Sequence, residues 1–186
     1  MYNPYILGKQ IYLRHPTEED VQGRWHEWFS DEETTKFLEL RFWPNSKESQ
    51  RDFYNSLQND RTKLVLSIVL LSNDQHIGVI SLSNINWVHR SADIGIIIGE
   101  KNYIQGTYTS DAFALILKVA FLRLNLLNVK AGYCKSNQGS EAILQLFKFK
   151  TAGVYENMMS IDGRREDVVA TYLDRESWLK RNIHTE

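Results

Sequence analysis

The sequence predicts an α/β (α+β) fold, a single mixed β-sheet with helices on both faces. Three observations carry that reading. Short apolar runs rich in β-branched residues recur along the chain, and segments of helical period separate them. Their order is strand, helices, hairpin, strand, helix, strand, helix, two strands, with no repeat, low-complexity stretch or linker between them. The 186 residues fit one domain, 1–186.

Lys9–Arg14 alternates polar and apolar, the pattern of a half-buried strand, and stops at His15-Pro16. Thr17-Glu18-Glu19-Asp20 then starts a helix: Thr17 caps the first turn, Asp20 reaches back, and the acidic residues suit the positive helix end. Val21, Trp25, Trp28 and Phe29 continue at helical spacing. A second short helix is expected within Asp31–Leu40, an aromatic turn at Arg41–Pro44, and a helix capped by Ser46 that runs to about Gln58. Lys63–Leu71 and His76–Leu82 flank a short polar turn and read as a hairpin. A looser stretch, Ser83–Arg90, precedes a strand at Ala92–Ile98. Ala112–Leu124 reads as a helix largely buried against the sheet, Asn128–Cys134 as a strand and Ser140–Phe149 as a helix. Val154–Met159 and Val168–Leu173 close the sheet around Asp162-Gly163, and Trp178 lies in a short terminal helix.

Composition excludes several classes. Hydrophobic residues make up 42% and charged residues 24%, an ordinary globular balance. Twenty-two basic against twenty-three acidic residues argue against nucleic-acid binding by bulk charge. The single cysteine, Cys134, forms no internal disulfide and suits a reducing, cytoplasmic compartment. The strongest apolar run, Leu64–Leu71, is too short to span a bilayer, so no membrane role is expected. The histidines show no metal-ligand spacing, and no metal site is expected.

The segment from Gly99 to Ala112 carries most of the chemical information. It joins a buried strand to a buried helix through small hydroxylated residues. Backbone N–H groups at such a helix start lack intrahelical partners, and a phosphate or pyrophosphate fits there. A plain helix cap by Thr109 or Ser110 explains the same residues. The spacing matches neither a P-loop nor a dinucleotide fingerprint.

Several short motifs, taken in order, resemble the GNAT N-acetyltransferase superfamily, in particular the branch of the ribosomal-protein N-terminal acetyltransferases. Ile11–Arg14 followed by Thr17–Asp20 is similar to that branch's opening strand and helix start, and Ser91–Gly95 to its central strand. Asn137–Ser140 resembles its Asn-x-x-Ser element, and Asp162–Val169 with Leu173, Arg175-Glu176 and Trp178 its closing hairpin and tail. The likeness runs from about Gly8 to Trp178. It implies a sheet splayed in the middle, with acetyl-CoA lying between Ala92–Ile98 and Asn128–Cys134. Splayed strands leave unpaired backbone groups that an amide-bearing arm can satisfy.

The resemblance also implies site residues. Ile96 and Ile98 would offer backbone groups to the pantetheine arm, with an oxyanion-binding N–H near Ile96–Ile98. Ile104, Gln105, Gly106, Thr107, Tyr108, Thr109 and Ser110 would meet the pyrophosphate. The chain departs from the family here: Thr107 and Thr109 stand where glycines are usual, and Ile104 where Arg or Gln is usual. Asn137 and Ser140 would contact the arm, or simply cap a helix. Many relatives carry a tyrosine one turn after this serine; here the residue is Leu144, which leaves Ser140 as the nearest proton donor. A base would be Asp93 or Glu100, Asp93 being alternatively a solvated or ion-paired carboxylate. Arg41, Trp43, Trp87 and Tyr103 would border the acceptor, each having a packing explanation as well.

The reading is thus an acetyl-CoA-dependent N-acetyltransferase acting by direct transfer. The acceptor is a primary amine of a small metabolite, an amino sugar or a protein N-terminus, and the enzyme a monomer or homodimer. A non-catalytic acyl-CoA-binding module of the same fold is the alternative, motivated by Leu144 and the loop threonines.

Overall fold

The computed structural model describes residues 1–104 and 107–182. Its strands form one eight-stranded mixed sheet in the order β1-β2-β3-β4-β5-β6-β8-β7. These are β1 (Ile6–Leu7), β2 (Ile11–Arg14), β3 (Leu64–Leu70), β4 (His76–Asn86), β5 (Ser91–Ile98), β6 (Asn128–Cys134), β7 (Lys150–Ile161) and β8 (Arg164–Asp174). All neighbours run antiparallel except β5 and β6. That one parallel pair is joined by α5 (Tyr108–Lys118), which continues as a π turn through Arg123. Parallel neighbours need such a crossover, and the sequence supplies it in the buried apolar stretch beginning near Ala112.

The remaining helices are α1 (Glu18–Gln22), α2 (Trp25–Trp28), α3 (Glu32–Thr35), α4 (Lys47–Ser56), α6 (Gln138–Leu146) and α7 (Arg175–Asn182), with a 3-10 turn at Glu39–Phe42. Thr17 and Asp20 cap α1 reciprocally, the Thr17 amide donating to Asp20 Oδ2 at 2.9 Å. Ser46 accepts from the Ser49 amide and starts α4. The single helix expected after Thr17 is instead two, broken at Gly23 and Arg24. Likewise, the Asp31–Leu40 stretch divides into α3 and the 3-10 turn. The looser stretch at Ser83 continues β4 to Asn86 across a bulge, where Asn84 holds a positive φ of 50°.

Two cores sandwich the sheet. On one face, even-numbered β5 residues from Ala92 to Ile98 pack with Phe113, Ile116 and Leu117 of α5. On the other, Val65, Val79 and Ile97 pack beneath Val21, Trp25 and Trp28 of α1 and α2. Gly99 is required where β5 ends, since a Cβ there would lie 1.9 Å from the Trp28 ring. Trp28 could not otherwise close over the strand end.

Candidate active site

The parallel pair is joined along only part of its length. Ser91, Ala92 and Asp93 pair with Asn128, Val129 and Lys130, and the ladder stops there. On its other side β5 pairs with β4 from Ile98 to Asp93 and again at Ser91 across the bulge, and β6 pairs with β8 along its length. Beyond Asp93 and Lys130 the two strands therefore diverge, leaving Ile94–Ile98 and Ala131–Cys134 without each other as ladder partners. A strand edge with no partner is a row of donors and acceptors that another extended amide chain can satisfy. The gap opens into a cleft of about 710 Å³ lined from both faces of the sheet.

On the α5 face the cleft is walled by Ile96, Ile98, Ile104, Thr109, Ser110, Asn137 and Ser140, all expected from the sequence to serve the cofactor. Thr109 and Ser110 lie in the first turn of α5, whose opening amides precede the first intrahelical acceptor. Thr107 carries out the capping geometry: its carbonyl accepts from the Asp111 amide at 2.8 Å and from Ser110 Oγ at 2.9 Å. Its hydroxyl accepts from the Gln10 side chain. Asp111 in turn takes the amides of Lys9 and Gln10 at 2.8 and 2.9 Å, fixing the helix start to the β1–β2 turn. The Tyr108 ring meets Tyr103 edge-on, 5.3 Å between centroids. Gln105 and Gly106 lie outside the described residues.

Asn137 is the cap of α6, with Oδ1 accepting from the Ser140 amide at 3.0 Å. The Ser140 side chain lines the cleft, one turn ahead of the buried Leu144. Tyr133, which sequence reading missed, shares this half of the cleft. Burial, and then the neighbouring Glu141 carboxylate, push its phenol up, so it stays protonated at neutral pH.

Across the sheet, the far wall comes from α3 and the residues after it. Glu33, Thr34, Phe37 and Leu38 face Ile97, Gly132, Cys134, Met159 and Val168. This segment forms a strap over the open end of the fork, pinned at both ends. At its start, Lys101 bridges Asp31 and Glu33 at 2.9 and 3.0 Å. At its end, Arg41 and Lys36 reach Asp162 of the β7–β8 turn at 3.3 and 3.9 Å. The Thr34 amide, with Lys101 behind it, pulls the Asp31 carboxyl down to about 2.

The proposed bases stand in different surroundings. Asp93 sits at the apex of the fork, odd-numbered and thus on the α1–α3 face. Lys130 Nζ lies 3.0 Å from Oδ1, and Asn84 donates to Oδ2 at 2.8 Å. Glu100 is not in this cleft. Its carboxylate takes Arg24 at 2.8 Å and the Trp28 indole at 3.1 Å, and lines a separate cleft with Ser30 and Lys101.

None of the four residues expected at the acceptor mouth lines the cleft. Arg41 anchors the strap, and Trp43 is 74% exposed beyond it. Trp87 lies at the closed end of the fork, its indole donating to the Arg61 carbonyl at 2.9 Å. Tyr103 packs on Tyr108 and donates to Gln75 at 3.1 Å. The residues that do wall the mouth, Phe37, Leu38, Met159 and Val168, carried no sequence signal beyond apolarity. Among the described residues, no group of three or more His, Cys, Asp and Glu side chains is arranged to hold a metal ion.

The sequence matches the acetyltransferase (GNAT) domain family over residues 10–150. The chain belongs to the GNAT acetyltransferase family. Solved structures agree with the GNAT fold. A spermidine N-acetyltransferase from Vibrio cholerae, in complex with CoA and spermine, superposes with a TM-score of 0.82 at 23% identity, over 91% of this chain and 98% of that one. A GNAT-family acetyltransferase from Bacillus anthracis gives 0.78 at 18% identity, over 92% and 98%. No curated protein matches the sequence. In this GNAT acetyltransferase the fork is placed as the resemblance in the sequence implied, between Ala92–Ile98 and Asn128–Cys134.

Proposed function

We propose that this chain is a single acetyltransferase domain that moves an acetyl group from acetyl-CoA directly onto a primary amine. The acceptor is an amine-bearing small metabolite, an amino sugar or a protein N-terminus, with the small molecule favoured. One observation carries the reading: a fork in the sheet opens into one cleft reaching both faces, so that two ligands can meet between the strands.

The residues present fit the cosubstrate. The unpaired edges of β5 and β6 match an arm containing amides, and the first turn of α5 offers N–H groups and the Thr109 hydroxyl to a diphosphate. Thr107 and Thr109 replace flexible glycines with hydroxyls here. Bound acetyl-CoA supplies an activated thioester. The chain's own part is positioning and proton handling. Backbone N–H groups near Ile96–Ile98 bind the developing oxyanion, at the fork where no side chain is needed. In this reading Asp93, at the apex on the acceptor face, takes the proton from the amine; Lys130 lies against one of its carboxylate oxygens and Asn84 donates to the other. Ser140 and Tyr133 are the hydroxyls on the cofactor side that can donate to a departing thiolate.

Calorimetric titration with acetyl-CoA, followed by a free-thiol release assay over an amine panel, tests the proposal. Binding together with amine-dependent thiol release is expected. Binding without release across the panel points to a non-catalytic acyl-CoA-binding module, which the leucine at 144 would suit. Absence of binding overturns both readings.

A further inference from the structure

On the cofactor side of the fork, Leu144 is 5% exposed and carries no proton to give. The hydroxyl-bearing residues that line this side are Thr109, Ser110, Tyr133 and Ser140. Thr109 and Ser110 belong to the first turn of α5, where the diphosphate is placed, and the Ser110 hydroxyl already donates to the Thr107 carbonyl. Tyr133 stands elsewhere. The β5–β6 ladder ends at Asp93 opposite Lys130, and three residues further along each strand come Ile96 and Tyr133. Both pack against the core on the α5 face. Tyr133 therefore lies across the fork from the backbone that the reading above gives to the oxyanion. β8 sets Val169 beside it, and α6 brings Glu141, the charged group that acts on it. Burial and that carboxylate both favour the protonated phenol.

We infer that Tyr133 is the catalytic acid that protonates the departing thiolate, a role held by a residue of β6 and not by the helix position of Leu144. The inference rests on the acetyltransferase reading above and assigns one residue within it. An ordinary phenol titrates at about 10 and an ordinary thiol at about 8.5, close enough for a proton to pass between them. The hydroxyl of Ser140 is a far weaker acid. In the step, the amine nitrogen forms its bond to the acyl carbon and yields a proton to Asp93. Tyr133 gives its phenol proton to the sulfur, which keeps the bonding pair as the carbon–sulfur bond breaks. Solvent then returns a proton to the phenolate and takes the one held by Asp93.

Two measurements on Tyr133→Phe test the assignment, one of them independent of turnover. Calorimetry gives the affinities of CoA, which ends in a thiol, and of acetyl-CoA, which has no thiol to titrate. A phenol beside the sulfur stabilises bound thiolate, so the parent's preference for CoA over acetyl-CoA is expected to rise about fivefold from pH 7 to pH 9. In Tyr133→Phe that rise is expected to vanish. In thiol release with an amine that the parent accepts, Tyr133→Phe is expected to lower kcat roughly tenfold or more, with acetyl-CoA affinity changed by less than about twofold. Ser140→Ala is expected to cost less. A kcat for Tyr133→Phe equal to the parent's, a larger loss in Ser140→Ala, or the same pH dependence of CoA preference in both proteins overturns the inference and leaves the acetyltransferase reading intact. A parent that binds acetyl-CoA but releases no thiol with any amine removes the inference and the catalytic reading together.

Discussion

Asp20 shows how much one side chain organises. It is 5% exposed, yet it takes both Nη atoms of Arg14 at 2.6 and 2.8 Å, the Ser67 hydroxyl at 2.8 Å and His76 Nδ1 at 3.1 Å. Burial pushes its carboxyl up, but Arg14 and then His76 outweigh burial and hold it far below the usual carboxylate range. Asp20→Asn leaves Arg14 buried beside a neutral partner, and a loss of roughly 3–5 kcal/mol is expected in urea denaturation. The pH dependence has a definite sign. Because the folded pKa is depressed, the stabilisation is fully present above the unfolded value of about 4 and is lost as pH falls below it. The parent should therefore lose stability on acidification from pH 5 to 3 more steeply than Asp20→Asn. Asp93 belongs at the same scale but concerns rate. If it is the base, Asp93→Asn should lower kcat by roughly 10²-fold or more while moving acetyl-CoA affinity little. Unaltered turnover would remove it from that role. The sequence pointed to both aspartates by position, one as a capping residue and one as a strand carboxylate. It could not reveal the Lys130 and Asn84 contacts, which depend on strand register and a bulge.

Among the elements, the strap from α3 to the 3-10 turn at Glu39–Phe42 is the part the sequence hid best. Arg41 and Trp43 read as part of a substrate mouth, whereas Phe37 and Leu38 face the cleft and Arg41 serves as an anchor. Apolar residues in a short irregular segment have no period from which to infer a face, so only the fold decides. Partly exposed ion pairs such as Arg41–Asp162 contribute little to global stability, at most about 1 kcal/mol. Their effect should therefore appear at the mouth. Asp162→Asn is expected to raise the acceptor KM by roughly 2- to 5-fold while acetyl-CoA affinity stays unchanged. A fall in acetyl-CoA affinity of the same size would place the strap's role elsewhere. The regular elements were far more legible. β6 has the bounds expected from the sequence, and α5 begins four residues before Ala112 because polar Tyr108–Asp111 make up its first turn.

At the scale of the molecule, one topological fact organises the function: among the described residues a single parallel pair lies inside an otherwise antiparallel sheet and is joined for only three residues on each strand. The order of strands and helices in the sequence contained the parallel crossover. The divergence itself was legible only through family resemblance, because no side-chain pattern encodes a missing ladder. Hydrogen–deuterium exchange with and without acetyl-CoA interrogates that feature directly, since unpaired strand amides exchange readily until a ligand satisfies them. Protection on cofactor addition is expected at Ile94–Ile98, Ala131–Cys134 and the first turn of α5. Binding that leaves those amides unprotected, with protection gathered elsewhere, would contradict the placement of the cofactor in the fork.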